Sequence, residues 1–194
     1  MRKFLLFSAG ALLLAATLAG NAQAESLRGR FAVTGKIGIT NPAESEMDSS
    51  LGRLVVETDA GFIAGLGFMF GVDDHIAVEM DVTRSSFHTS GFGRADVTDI
   101  SMGAQYRFPE RQRLVPYAGA GLDVLVNDLS NRYTNTTIGA HLSAGADYMV
   151  SRQMALTAEV KGVESFRADV DGPNGGEFDP SSLSVLVGAR FFFN

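Results

Sequence analysis

The sequence predicts an all-β protein: one eight-stranded, antiparallel, up-and-down β-barrel that crosses a membrane. Three observations carry this. Beyond an apolar leader, hydrophobic residues recur at every second position, the period of a half-buried strand and not of a helix. Eight such segments fit the chain, joined by connections that alternate between short and long. The two faces of these segments also differ in kind, one apolar with aromatics towards one end, the other charged and rich in glycine.

Composition sets the frame. A chain of 194 residues supports one domain, and 45% hydrophobic content with abundant Phe, Leu, Ile and Val argues against disorder. The absence of cysteine excludes a disulfide scaffold and Cys-based zinc or redox sites. A net charge of −6 argues against nucleic acid as a partner. The mean hydropathy of +0.10 is too mild for a polytopic helical membrane protein. In strands, however, such an average can hide two opposed faces interleaved residue by residue.

Residues 1–24 read as a cleaved secretory signal. Arg2 and Lys3 precede an uncharged Leu/Ala-rich run from Phe4 to Gly20, and Ala22-Gln23-Ala24 supplies the small-x-small cleavage pattern. The alternative, a membrane anchor, fits less well because the apolar run is short. No cysteine follows, which excludes a lipoprotein. Removal of Arg2 and Lys3 changes 16 basic against 22 acidic residues to 14 against 22, a net of −8 for the mature domain, residues 25–194.

The eight segments follow in order. In the first, Phe31, Val33, Gly35, Ile37 and Ile39 alternate with Ala32, Thr34, Lys36 and Gly38. The second presents Phe62, Ala64, Leu66, Phe68 and Phe70 on one face. In the third, Ile76, Val78, Met80 and Val82 oppose Ala77, Glu79, Asp81 and Thr83. The fourth sets Ile100, Met102, Ala104, Tyr106 and Phe108 against Asp99, Ser101, Gly103, Gln105 and Arg107. In the fifth, Ala118, Ala120, Leu122, Val124 and Val126 oppose Tyr117, Gly119, Gly121, Asp123 and Leu125. The sixth runs from Ile138 to Tyr148, with His141, Ser143 and Asp147 on its polar face. The seventh opposes Met154, Leu156, Ala158 and Val160 to Thr157, Glu159 and Lys161. The last sets Leu183, Val185, Val187, Ala189, Phe191 and Phe193 against Ser184, Leu186, Gly188, Arg190 and Phe192.

Connections at 71–75, 109–113 and 150–153 are short, whereas those near 41–61, 85–95, 127–136 and 165–181 are long. Short periplasmic turns and longer extracellular loops are the pattern of an outer-membrane barrel. The polar face carries Lys36, Glu79, Asp81, Asp99, Arg107, Asp123, Asp147, Glu159, Lys161 and Arg190, expected to line the lumen. Eight strands leave an interior about wide enough for side chains, so these charges should pair into a plug in preference to an open pore. The expected pairing joins Glu79, Asp81, Asp99, Asp123 and Glu159 to Arg107, Lys161, Arg190 and Lys36. Inward glycines should make room for the long basic side chains. Threading from a periplasmic N-terminus gathers Phe31, Phe68, Phe70, Tyr106, Phe108, Tyr148, Phe191 and Phe193 at one rim of the apolar face, as a lipid–water interface favours. Phe62, with Phe87, Phe92 and Tyr133 in loops, is expected to mark a weaker upper belt.

The C-terminal Gly188-Ala189-Arg190-Phe191-Phe192-Phe193 and the run Val115-Pro116-Tyr117-Ala118-Gly119-Ala120-Gly121 are similar to those of small eight-stranded Gram-negative outer-membrane barrels of the OmpA, OmpX, OmpW and opacity types. The resemblance spans residues 28–194. It implies that Gly188, Phe191 and Phe193 form the signal read by the outer-membrane assembly machinery, although Asn194 departs from the usual aromatic terminus. It implies outer-membrane lipids as surroundings, no cofactor and a non-enzymatic role in envelope structure or surface interaction. OmpW-type relatives imply the alternative of a narrow transport barrel for small, including apolar, molecules. With only Asn194 after Phe193, any structural role is expected to lie in the barrel itself.

A third reading is enzymatic. His141 and Ser143 share a strand face near Glu159, and His-x-Ser resembles the motif of outer-membrane lipid A deacylases. The chain departs from that family in reading Ala144-Gly145 next and in lacking its Asn-Pro-Gly. The segment 169–179 interleaves carboxylates with glycine, a composition able to wrap calcium, but its spacing does not match the helix-flanked calcium loop. No metal site is assigned.

Overall fold

The computed structural model describes residues 26–42, 45–49, 52–56, 60–89, 93–108, 113–129, 133–165, 168–170, 176–178 and 181–193. The leader, residues 1–24, lies outside them. Eight strands close into an antiparallel barrel: β1 (Phe31–Pro42), β4 (Gly61–Gly71), β5 (Ile76–Thr89), β6 (Gly93–Arg107), β7 (Leu114–Leu129), β8 (Tyr133–Met149), β9 (Met154–Ser165) and β12 (Ser182–Phe193). Each pairs with its sequence neighbour in the barrel, and β1 closes on β12 from Phe31↔Phe193 to Pro42↔Ser182. Closure leaves the barrel itself without a free edge, which a sheet in hydrocarbon requires. Among the described residues no helix is long and apolar enough to cross a membrane, a statement that leaves strands untouched.

The predicted registers hold in all eight strands. Ile37, Leu66, Met80, Met102, Leu122, Leu142, Val160 and Val187 face outward and are exposed, while Lys36, Asp81, Asp99, Asp123, Glu159 and Arg190 are buried inside. A one-residue slip would exchange the two sets, so the apolar pattern itself fixes the register.

The connections need correction. At the long-loop end the first and fourth contain hairpins, β2 (Ser45–Ser49) with β3 (Gly52–Val56) and β10 (Ala168–Val170) with β11 (Gly176–Phe178). The second and third are largely strand: β5 and β6 stay paired to Thr89↔Gly93, and β7 and β8 to Leu129↔Tyr133. The reason lies in chemistry at constant backbone geometry. Above Val82 the outward face of β5 turns polar at Arg84 and Ser86, facing Asp96 of β6, so the apolar signal ends although the ladder continues.

All eight predicted rim aromatics lie on the outer face at the short-turn end. Phe31 sits between Phe193 and Phe70 in register, and its ring centroid is 4.8 Å from that of Phe70 and 5.7 Å from that of Phe68. Tyr106 and Phe108 meet edge to face at 4.9 Å. Phe62 faces outward at the other end, as expected. Phe87 does not belong to an upper belt. It falls within β5 on the parity of Glu79 and Asp81, and is buried in the lumen. Phe92 and the Tyr133 side chain lie outside the described residues.

Candidate functional site: the barrel lumen

The inward side chains form three tiers. At the short-turn end Ala32, Met69, Ala77, Ala155 and Phe192 pack with Leu27 into an apolar floor. At the other end Phe87, Val97, Leu125 and Val163 make an apolar collar. The charged residues lie between.

Seven of the ten predicted lumen charges form one cluster. Lys36 Nζ lies 2.8 Å from Asp81 Oδ2 and 3.4 Å from carboxylate oxygens of both Glu79 and Glu159. Arg190, with no exposed surface, donates to Glu79 Oε1 (2.9 Å), Asp147 Oδ2 (2.7 Å) and Thr34 Oγ1 (2.9 Å). Arg107 donates to the same Asp147 oxygen at 2.5 Å. The other three predicted residues form a second cluster. Lys161 bridges Asp99 and Asp123, each at 2.8 Å, and His141 Nδ1 is 2.7 Å from Asp123 Oδ2. Each cluster holds one more carboxylate than Lys or Arg, with His141 beside the second. Removing such charges from water costs several kcal/mol per ion, which only close pairing offsets.

All four bases meet carboxylates, and Asp147, absent from the expected pairing, is the carboxylate shared by Arg107 and Arg190. Tyr117 and Gln105 also belong to the network. Tyr117 Oη donates to Glu159 Oε2 at 2.8 Å, and its ring lies 5.4 and 5.5 Å from the guanidinium carbons of Arg107 and Arg190. Gln105 joins Glu79 to Arg107 through its amide. Both share the inward parity of neighbouring charges, a signal present in the sequence. The glycines make room, though for other neighbours than the basic residues. A Cβ on Gly145 would lie 2.6 Å from the Tyr117 ring, one on Gly121 2.6 Å from the His141 ring, and one on Gly67 2.1 Å from Asp81 Oδ1.

Beside the charged tier and the collar remains a cavity of about 30 Å³, lined by the charged Lys36, Asp81, Asp99, Glu159 and Lys161 and by the apolar Ile63, Phe87, Val97, Leu125 and Leu186. That is space for about two waters.

His141 is oriented by Asp123, and no hydrogen bond joins it to Ser143 among the described residues. Its ring faces the lumen beside Gly121, not the lipid. No group of three or more His, Asp or Glu side chains able to hold a metal occurs among the described residues. Residues 171–175 and 179 of the acidic segment, and 109–112 of the short connection at 109–113, lie outside the described residues.

The comparisons with known proteins match this architecture. The sequence profile of the outer membrane protein beta-barrel domain covers residues 10–191. The chain belongs to this outer-membrane β-barrel family, and its place is the cell outer membrane. Among solved structures, the outer membrane protein OprG from Pseudomonas aeruginosa is similar over 90% of this chain and 98% of its own, with 18% identity and a TM-score of 0.69. Neisserial surface protein A is similar over 86% and 100%, with 20% identity and a TM-score of 0.61. The N-terminal barrel domain of P. aeruginosa OprF is similar over 86% and 98%, with 16% identity and a TM-score of 0.50. Identities this low speak for the fold alone. No curated protein sequence matches the chain.

Proposed function

We propose that this member of the family is a non-enzymatic barrel with a closed lumen, serving envelope structure or surface interaction. The observation that carries the reading is the salt-bridged middle tier, where Arg190, Asp147 and Asp123 have no exposed surface and the residual cavity holds only about two waters. Short turns would face the periplasm and the hairpin-bearing loops the exterior. The rim aromatics Phe31, Phe68, Phe70, Tyr106, Phe108, Tyr148, Phe191 and Phe193 would sit at the inner lipid–water interface. Gly188, Phe191 and Phe193, in the strand that closes on β1, would be read by the assembly machinery after export with the leader of residues 1–24.

A second reading, transport of small apolar molecules, draws on the collar of Phe87, Val97, Leu125 and Val163 at the loop end. It would require the cavity to widen, since about 30 Å³ is space for only about two waters. The hydrolase reading has neither a His141–Ser143 bond nor a lipid-facing site in its favour.

The test is deletion with complementation. A structural role predicts that loss of the gene raises outer-membrane permeability to a bulky antibiotic, and that the closed barrel restores it. Unchanged permeability and envelope-stress response would remove that role. Lipid A mass profiles should be the same for wild type and His141→Ala; a lost species would restore the enzyme.

A further inference from the structure

The floor of the lumen is not made by the barrel alone. Three of its inward residues are alanines, Ala32, Ala77 and Ala155, one each from β1, β5 and β9, and all have no exposed surface. Small residues at the last row of a barrel leave a depression that something else must fill. Leu27, which precedes β1, fills it and is itself buried.

The segment that carries Leu27 is built to fold under the mouth. Arg30 N donates to Leu27 O at 3.0 Å, closing a four-residue turn whose third residue, Gly29, has φ +76°. That backbone conformation favours glycine. The turn is pinned to the end of β4: Gly29 N donates to Gly71 O (2.8 Å) and Gly71 N to Arg30 O (2.9 Å). Gly71 must also lack a side chain, because a Cβ there would lie 2.1 Å from Leu27 O and 2.7 Å from Leu27 Cγ. Ser26 Oγ bonds Asp74 of the β4–β5 turn at 2.5 Å. Arg30 reaches over the Phe192 ring and donates to Arg152 O at 2.8 Å.

We propose that Ser26–Arg30 is a latch that closes the lumen at the short-turn end and can swing out while the barrel stays folded. It is held by hydrogen bonds to β4, the β4–β5 turn and Arg152, by the Arg30–Phe192 contact and by one apolar side chain. The β1 ladder starts only at Phe31, which remains paired with Phe193 and Phe70 when the latch leaves. Behind it lies Met69, whose Sδ is 3.7 Å from Arg107 Nη1, so opening admits water to the Arg107–Asp147–Arg190 group. Closure keeps those buried charges dry from one side.

The chain has no cysteine, so Met69→Cys is a single reporter. Its reaction with a charged, membrane-impermeant maleimide is to be followed in the folded barrel, with the latch intact, with Leu27→Ser, and with Gly71→Val. Both latch variants should label ~10-fold faster or more, while the unboiled band on a gel keeps its folded mobility, as local opening requires. Unchanged labelling in folded variants would overturn the latch. Should the variants not fold, amide exchange in the unaltered protein decides. Gly29 and Gly71 exchanging together ~10-fold or more faster than the β12 amides supports independent opening, and exchange at the β12 rate overturns it.

Discussion

Arg190→Met separates charge from volume at the centre of the lumen. The methionine keeps most of the apolar stem but removes three donated bonds, to Thr34, Asp147 and Glu79, from a residue with no exposed surface. Removing one partner of a buried ion pair costs about 3–5 kcal/mol, because the other is left uncompensated. Here neither carboxylate is abandoned. Asp147 keeps Arg107 at 2.5 Å, and Glu79 keeps Lys36 at 3.4 Å and the Gln105 amide. The expected loss therefore lies at the lower end, about 3 kcal/mol. Arg84→Met is the control: its pair with Asp96 spans 3.4 Å and its side chain is 67% exposed, so the change should stay below about 1 kcal/mol. Urea unfolding in vesicles measures both, read by the gel shift and far-UV circular dichroism, since the chain has no tryptophan to report fluorescence. An Arg190→Met loss no larger than that of Arg84→Met would refute the buried network as a source of stability.

Three further predictions follow from other parts of the barrel. Leu142 is 72% exposed on the lipid-facing side of β8. Leu142→Arg should cost about 2–4 kcal/mol by the same titration if it meets the middle of the bilayer, whereas a water-facing surface would tolerate it within about 0.5 kcal/mol. Gly145→Val should destabilise by about 1–3 kcal/mol through overpacking. Its Cβ would collide with Tyr117 and, at 2.5 Å, with the Ala158 carbonyl, so a neutral result would contradict the packing. Asp73, in the exposed β4–β5 turn, accepts hydrogen bonds from His75 N (2.7 Å) and Ile76 N (2.6 Å), which hold its carboxyl below the ordinary range. A depressed carboxyl stabilises the turn above its unfolded value and loses that effect as pH falls through the folded one. The Ile76 amide shift should titrate below about pH 3.9 and not at all in Asp73→Asn; a higher midpoint would contradict the bonds.

Much of this was legible in the sequence because a strand writes its environment at a period of two. Parity alone sent Lys36, Glu79, Asp123 and Arg190 to one side and Ile37, Met80, Leu122 and Val187 to the other. What parity cannot mark is where a strand outlasts the membrane. Arg84, Ser86 and Asp96 read as loop because their outward face is polar, yet their backbones remain paired. Phe87 lies in that continuation, where the apolar pattern no longer marks which face is inward. Contacts across the lumen were also out of reach. Lys36 and Glu159 are on strands separated by β12, and Asp147 reaches Arg190 likewise across β9, with no local spacing to announce either. Leu27 was invisible for another reason: a single apolar residue before the first strand has no period, and its meaning comes only from the alanines above it.

The central claim is that the lumen is filled and that each of its Lys and Arg side chains meets a carboxylate there. Conductance of the purified, gel-shift-competent barrel in planar bilayers tests it most directly. The filled lumen predicts bilayers as quiet with protein as without it. Reproducible single-channel steps that scale with the amount of folded protein would contradict the plug and put transport first.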